Sequence, residues 1–592
     1  MSQTHAAPRP SVARRVFWPA AVLTVSAALA AILAPRAVGG ALSAVQGSIV
    51  RGFSWYYVLV VAFFVAMSLW FGFGRHGDLR LGRDDDTPEF STRSWFALLF
   101  AAGMGIGLVF YGVSEPLSHF ASPRPGVTGT PSELAQQALA QTYLHWGLHA
   151  WAIYVVVGLA LAYAIHRRGR PVSIRWALEP LLGRRVRGGW GDLVDVVALV
   201  GTLFGVATSL GFGVVQISSG LSSIGLLQVS TGLQVVLTGV TTLAVLASVL
   251  SGVTRAMKWL SNANLVLAGL LVVVVLVAGP TLFLLRDLVQ GIGVYLQNVV
   301  GVSFHVTAFR GAAGEAWQAS WTSFYWGWWI SWAPFVGIFI ARISRGRTVR
   351  QFVLGVLLVP TLVTFVWFAV LGGTALHREV FGEGGLVGAD GTVDLEGALF
   401  AVLQTLPAGP ALVVGAIVLV ALFFVTSSDS GALVMAMIAS GGEIEPRRWV
   451  RVFFVLVSAL LAVALLLSGG LGALQTAAII IALPFSVVML LICWATVRAF
   501  GREARAYERA RRAALVDHIG EYDGLEVEGA TVVDVSPADG GRRLPGLRRR
   551  LRPARAAVPQ AATDDSSAVD DGGRERGATA VPATGAGPSG TA

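Results

Sequence analysis

The sequence predicts an all-α polytopic membrane protein with twelve transmembrane helices, on three observations. The 592 residues are 55% hydrophobic and only 13% charged, a balance outside the range of soluble domains. Apolar runs of about 20 residues, enough to cross a bilayer at 1.5 Å per residue, recur along most of the chain. Arginines cluster in alternate loops: Arg167, Arg168, Arg170, Arg175, Arg184, Arg185 and Arg187 follow the fourth run, and Arg342, Arg345, Arg347 and Arg350 follow the eighth, whereas the loop after the third has only Arg124. Such alternation requires an even number of spans and puts both termini in the cytoplasm of a cell inner (plasma) membrane.

Taken in order, residues 1–15 form a short basic N-terminus. The spans read as 16–34, 53–73, 94–114, 142–165, 192–216, 233–252, 262–285, 320–341, 352–372, 409–438, 449–467 and 471–497. The first run is too long for a signal-peptide core, although Ala34-Pro35-Arg36-Ala37 follows it, and reads as an anchor. Segments 35–52, 286–300 and 396–408 are too polar or too short to span and are expected as interfacial helices on the outer side. After Phe500, the stretch Arg502–Arg512 has good helix formers with mixed charges four residues apart and should form an exposed helix. A basic cluster at Arg542-Arg543 and Arg548-Arg549-Arg550-Leu551-Arg552 suits anionic lipid headgroups. The last stretch, rich in Ala, Gly, Pro, Asp and Thr, should be disordered. The net charge of +10 is explained by loops beside anionic lipid, with no nucleic acid implied. The single cysteine, Cys493, allows neither a disulfide framework nor a Cys-type metal cluster.

Five spans carry unusual residues. The third contains Ala101-Ala102-Gly103-Met104-Gly105-Ile106-Gly107-Leu108. Three alternating glycines each weaken a helix by about 1 kcal/mol relative to alanine, and a discontinuous helix at mid-membrane is where transporters bind substrate and ion. Close helix packing through the small pair Gly103 and Gly107 is the less favoured alternative. The fourth span holds Trp146, Trp151 and Tyr154, with Trp151 and Tyr154 on one face. His145 and His149, four apart, would suit a metal only with a third ligand, and none is evident, so structural hydrogen bonding is expected for both. In the eighth span Phe324, Trp328 and Trp332 form a stripe bordered by Trp329, and Gly327 and Pro334 should loosen the backbone. Indole faces attract cations without a formal negative charge, so these tryptophans, placed deep in apolar spans, suggest a cage for a quaternary ammonium rather than core packing alone. The tenth span offers Phe423-Phe424-Val425-Thr426-Ser427-Ser428-Asp429-Ser430. Its hydroxyls, with carbonyls from an unwound helix, suit sodium. Asp429 should have a partner or lie near the cytoplasmic end. Thr202, Thr208 and Ser209 in the fifth span are a weak signal, since such hydroxyls commonly bond their own helix.

No Asp or Glu lies within the glycine run or the tryptophan segments; Glu115 is about two turns beyond Gly107. A buried cation without its own anion would call for a counter-ion, so the pattern suits a zwitterion whose carboxylate meets backbone N–H groups at the broken third helix.

From about Phe53 to Phe500 the chain resembles the betaine/carnitine/choline transporter family. The resemblance rests on Ala102–Leu108 with Tyr111-Gly112-Val113-Ser114-Glu115-Pro116, on Trp326-Gly327-Trp328-Trp329-Ile330-Ser331-Trp332, on Arg342-Ile343-Ser344-Arg345-Gly346-Arg347 and on Thr426-Ser427-Ser428-Asp429-Ser430. It implies a LeuT-like fold of two inverted five-helix repeats, 94–285 and 320–497, after two N-terminal helices in 16–93, with an external interfacial segment at 286–319 and a cytoplasmic tail at 498–592. It implies an aromatic box of Trp146, Trp151, Tyr154 and Trp329, with Trp328 and Trp332 lining the route, Phe324 gating it, and Ser209, Ile106 and Gly107 orienting substrate. A sodium ion would sit between the backbone of Ala101 and Met104 and the Phe423, Thr426 and Ser427 positions. A second sodium would need paired hydroxyls on the fifth span; Thr202 fills one position, but Val206 stands at the other. Choline-directed members often carry an acidic residue at the position of Gly107, so its absence favours betaine-type substrates. Homotrimers and a tail that senses osmotic stress are also implied.

The sequence therefore reads as sodium-coupled uptake of glycine betaine or a similar compatible solute. Choline, carnitine, ectoine or proline, with proton coupling or exchange, is the nearest alternative. A channel or osmosensor is the alternative of another class. No enzyme is expected, because no nucleophile–base pair is present, and no cofactor beyond the coupling ion.

Overall fold

A computed structural model describes residues 12–103, 105–251 and 254–522. Its helices are α1 (Arg14–Leu33), α2 (Pro35–Phe73), α3 (Thr92–Gly103), α4 (Ile106–Ala121), α5 (Pro131–Trp146), α6 (Leu148–Ala162), α7 (Glu179–Leu182), α8 (Gly189–Ser223), α9 (Thr231–Ser251), α10 (Thr254–Ala278), α11 (Thr281–Ser303), α12 (Gly311–Gln318), α13 (Phe324–Ile343), α14 (Val349–Phe381), α15 (Ala398–Gln404), α16 (Gly409–Ala439) and α17 (Arg448–Tyr522). Among the described residues ten helices are long and apolar enough to cross a membrane. The twelve crossings read from sequence are recovered by adding the third, built from the short α3 and α4, and by dividing α17. That helix kinks at Gly469 (φ 153°) and Gly470 (φ 60°), a backbone that side-chain-bearing residues rarely adopt. The protein is thus an all-α polytopic membrane protein.

The glycine run does break the third crossing. Helix α3 ends at Gly103, Gly105 is extended (φ −152°, ψ −178°), and α4 restarts at Ile106. The fourth crossing, expected to be continuous, is also interrupted. Gly147 (φ −90°, ψ −134°) separates α5 from α6. A Cβ there would fall 2.5 Å from Tyr143 O and 2.9 Å from a Phe365 ring carbon, so only glycine fits. A π-helical turn, Ala319–Ser323, leads into α13, and such turns recur at functional sites.

Several expectations are corrected. The tenth crossing, whose hydroxyls are expected beside an unwound helix, is itself helical throughout α16. The Thr426 hydroxyl bonds Leu422 O, 3.0 Å away in the preceding turn, which satisfies it without opening the helix. Helix α13 runs unbroken through Gly327 and Pro334, although Pro334 has no N–H to donate to the preceding turn. Gly327 is a packing position, since its Cβ would lie 2.9 Å from Ile479 Cα. Segment 35–52 is the first half of the 39-residue α2, because Pro35 at the first turn starts a helix that runs straight into the second span. Segment 286–300 belongs to α11, which begins after the Gly279-Pro280 break; that dipeptide was the signal for an earlier end to the seventh span. Segment 396–408 yields only the seven-residue α15, whose apolar side chains are buried in protein.

The core helices cross at the centre. Helix α13 packs on α6 and α8, α8 on α16, and α4 on α5 and α14. The connection before α3 pairs with the loop after α13: Leu81 N donates to Arg347 O and Gly346 N to Leu81 O, each at 2.8 Å. The Arg347 guanidinium lies 4.7 Å above the Trp95 ring, whose Nε1 donates to Ser344 Oγ at 3.0 Å. The clustered arginines therefore also staple loops together. Asp429 has the partner expected of it, accepting from Arg451 Nη2 (2.6 Å) and Ser248 Oγ (2.9 Å). The stretch after Ala506 is helical to Tyr522 and exposed to Asp517 and His518, as read. The basic cluster at 542–552 and the expected disordered end lie outside the described residues.

Candidate functional site

The two broken crossings and α13 enclose a cavity of about 150 Å³. Gly105, Ile106, Gly107 and Leu108 contribute the start of α4, Trp146, Trp151 and Tyr154 come from the α5–α6 break, and Trp328, Trp329 and Trp332 come from α13. Ser209 of α8 and Phe423, Thr426 and Ser427 of α16 face the same space. Among the described residues no Asp, Glu, Lys or Arg lines it.

The aromatic walls are fixed by their N–H groups. Trp329 Nε1 donates to His145 O at 2.8 Å, a carbonyl beside the Gly147 break. Trp328 Nε1 donates to Ser209 Oγ at 3.2 Å and Trp332 Nε1 to Gly205 O at 2.9 Å. Trp146 Nε1 donates to Glu115 Oε2 at 2.6 Å. Buried indoles anchored in this way present their faces in fixed directions. Trp328 and Trp329 stack at 4.7 Å and 13°, while Trp146 meets Trp329 edge-on at 4.9 Å and 72°. Tyr154 stands perpendicular to both Trp151 (5.4 Å) and Trp329 (6.4 Å).

Of the box and route residues read from sequence, the structure brings together Trp146, Trp151, Tyr154, Trp328, Trp329, Trp332, Ser209, Ile106 and Gly107. Phe324 is fully buried and does not line the cavity; it stacks on Trp328 at 5.4 Å. Of the residues expected to hold sodium, Phe423, Thr426 and Ser427 line the cavity, as does Gly105 at the break. Ala101 lies in α3, and Met104 is outside the described residues. Thr426 Oγ1 also accepts from Asn264 Nδ2 at 2.9 Å. Asn264 of α10 and its neighbour Ser261 were missed, although an Asn in an apolar span is a signal in itself. Thr202 Oγ1 is turned into its own helix, donating to Ala198 O at 2.8 Å, and is not among the cavity residues.

Both histidines make the structural hydrogen bonds expected of them. His149 Nε2 pairs with Ser303 Oγ at 2.8 Å. His145, for which the sequence showed no further ligand besides His149, lies beside Glu115 and His119, with Nδ1 2.7 Å and His119 Nε2 3.3 Å from Glu115 Oε1. The three are gathered from α4 and α5, a cross-helix approach that spacing within one helix cannot reveal. Their ligand atoms are engaged in hydrogen bonds with one another, with Gln141 and with Thr322. Glu115 is also closer to the tryptophans than its place in the chain suggests, because it reaches the back of Trp146.

Interrupted helices around a central aromatic cavity, which no charged side chain lines among the described residues, are the arrangement of a secondary transporter. Residues 15–505 match the family described as BCCT, betaine/carnitine/choline family transporter. The chain belongs to that family. It is 48% identical to an uncharacterized transporter of Mycobacterium tuberculosis over 513 residues, covering 86% of each chain. It is 43% identical to the glycine betaine transporter OpuD of Bacillus subtilis over 498 residues, 84% of this chain and 96% of that one. With the glycine betaine transporter of Acinetobacter baylyi it shares 41% identity over 556 residues, 90% of this chain and 82% of that one.

Proposed function

We infer that this transporter takes up glycine betaine, or a closely similar zwitterionic compatible solute, in symport with sodium across the cell membrane. The observation that carries the substrate class is the cavity wall. Three indoles and a phenol, Trp146, Trp151, Trp329 and Tyr154, face a space that, among the described residues, no charged side chain lines. Aromatic faces hold a quaternary ammonium, and the absence of a carboxylate on the lining suits a substrate that carries its own anion. That anion would meet the start of α4, where the N–H groups of Ile106 and Gly107 fall in a helical first turn that lacks intrahelical acceptors.

The same cavity supports the sodium reading. Thr426 and Ser427 bring hard oxygen donors beside the Gly105 break, which suits an alkali cation better than a soft metal. These residues would hold the ion and tie its binding to the position of α16 against α3–α4. Ala101, Met104 and Phe423 belong to the same proposed site through their backbone. Thr202 supports a second sodium poorly, since its hydroxyl points into α8. Alternating access would follow from one helix group, 94–285 or 320–497 in inverted relation, moving around the cavity. Both termini in the cytoplasm, a homotrimer, and anionic lipid at the tail complete the reading.

The test is uptake of labelled glycine betaine into proteoliposomes under an inward sodium gradient, with potassium as the replacement. Saturable accumulation that needs sodium is expected. Accumulation indifferent to sodium would transfer the coupling to protons or exchange, and conduction without accumulation would make the protein a channel.

A further inference from the structure

Glu115 is completely buried, at the level of the aromatic cavity yet outside its lining. Four groups surround its carboxylate. Oε1 is approached by His145 Nδ1 at 2.7 Å and His119 Nε2 at 3.3 Å. Oε2 receives the Trp146 indole N–H at 2.6 Å and the Tyr325 hydroxyl. An indole N–H can only donate, so Oε2 is an acceptor by necessity. His145 Nε2 in turn meets Thr322 Oγ1 at 3.1 Å and Gln141 Nε2 at 3.2 Å, which fits a ring that donates from Nδ1. The His145 ring N–H, the Trp146 indole N–H and the Tyr325 hydroxyl thus supply hydrogen bonds to both carboxylate oxygens, as a buried polar group requires.

The placement relative to the cage is specific. Trp146 has one polar atom, and it points at Glu115; the ring lines the cavity. Tyr325, the other donor to Oε2, lies against Trp329 at 5.9 Å and Trp328 at 6.2 Å. Cation–π attraction is electrostatic and scales with the negative potential on the ring face. A hydrogen bond from the ring N–H to an anion shifts electron density into the ring and raises that potential. The carboxylate's own field adds to this in a medium that screens weakly.

We propose that Glu115 is a positioning and specificity residue of the cage, acting through the Trp146 N–H to strengthen the hold on a positively charged trimethylammonium group over an uncharged group of the same shape. The arrangement supplies negative potential without placing an anion on the lining, where it would compete with the substrate's own carboxylate. The proposal rests on the reading of the cavity as a quaternary ammonium site, and its test separates the two.

Binding of glycine betaine and of tert-butylacetate, its isostere with carbon in place of nitrogen, is measured on the purified full-length transporter by calorimetry. The wild-type protein should prefer glycine betaine; equal binding would sink the substrate reading itself. Glu115→Gln should weaken glycine betaine by about three- to thirtyfold, the scale of a cation–π contact, while tert-butylacetate changes by less than about twofold. Glu115→Asp, which keeps the charge, should recover much of the preference. Equal losses for both ligands would mean that Glu115 only shapes the cage, and that overturns the proposal. Trp146→Phe keeps a ring but has no N–H. It should lose much of the preference by itself, and Glu115→Gln added to it should change the preference little further. An undiminished preference in Trp146→Phe overturns the proposal even where Glu115→Gln does not fold.

Discussion

The Cβ that Gly107 lacks would fall 2.1 Å from Cη2 of Trp328. The first turn of α4 and the aromatic stripe of α13 are therefore in contact at a point where any side chain collides with an indole. Trp328 cannot retreat easily, because Trp329 stacks on it at 4.7 Å and Phe324 at 5.4 Å. A glycine that weakens the helix locally is thus also the residue that lets the cage close.

Gly107→Asp tests this contact. It introduces the acidic group expected of choline-directed relatives, but into occupied space. Overpacking of about 1–3 kcal/mol corresponds to roughly a five- to 150-fold loss. Glycine betaine uptake should fall within that range, with no matching gain for choline until Trp328 is also reduced, as in Gly107→Asp with Trp328→Leu. Competition uptake of the two substrates distinguishes the cases. Strong choline uptake by Gly107→Asp alone would show that the ring moves freely.

Trp329→Leu should weaken glycine betaine by about two- to thirtyfold, from a cation–π contribution of ~0.5–2 kcal/mol. It also removes the donor to His145 O, so Trp329→Phe is the control. The phenyl ring retains a face without the N–H and should retain more affinity than leucine. Indistinguishable binding in the three proteins, measured by calorimetry, would remove this residue from the cage.

How much of this was legible depended on whether the determinant is local. Apolar length placed the spans, and three alternating glycines within Gly103–Gly107 foretold the α3–α4 break. A single glycine at 147 did not announce the second break, because its necessity comes from Phe365, 218 residues away in sequence, which occupies the space a side chain would need. The Thr426–Ser430 hydroxyls suggested a sodium site beside an unwound helix. They leave α16 intact, since Thr426 bonds its own preceding turn and Asp429 bonds Arg451. The eighth-span tryptophans Trp328 and Trp332 were legible as one stripe from their spacing, but what anchors the aromatic wall was not. Glu115 reaches Trp146 and Tyr325 across 31 and 210 residues of sequence.

Acid should weaken the segment that follows α11. Desolvation, aided by Arg124 and Arg310, lowers the His305 pKa from its ordinary 6.5 to about 4. Between these values the unfolded chain binds a proton that the folded segment refuses, so stability is full above pH 6.5 and falls as pH drops toward 4. Partial solvent exposure limits the size of the effect. Hydrogen exchange of residues 304–310 should accelerate on acidification through this window beyond the intrinsic pH dependence of exchange, and His305→Gln should flatten the excess. A slope unchanged by the substitution would assign the effect elsewhere.

The proposed ion site makes the sharpest demand, because its residues also have structural duties. Thr426→Val keeps the shape but leaves Asn264 Nδ2 without its acceptor, a loss of ~1–3 kcal/mol to the fold that would obscure any ion effect. Thr426→Ser retains the oxygen and should be nearly normal in both stability and sodium response. Ser427→Ala removes a cavity-facing hydroxyl and is the cleaner probe. It should raise the sodium concentration for half-maximal uptake by about tenfold, equivalent to ~1.4 kcal/mol, while the glycine betaine KM at saturating sodium stays within about threefold. A sodium ligand must shift the sodium curve, whereas a substrate ligand shifts the betaine curve even when sodium is saturating. If Ser427→Ala moves only the betaine curve, the hydroxyls of α16 face substrate rather than ion, and the coupling ion must be sought on another wall of the cavity.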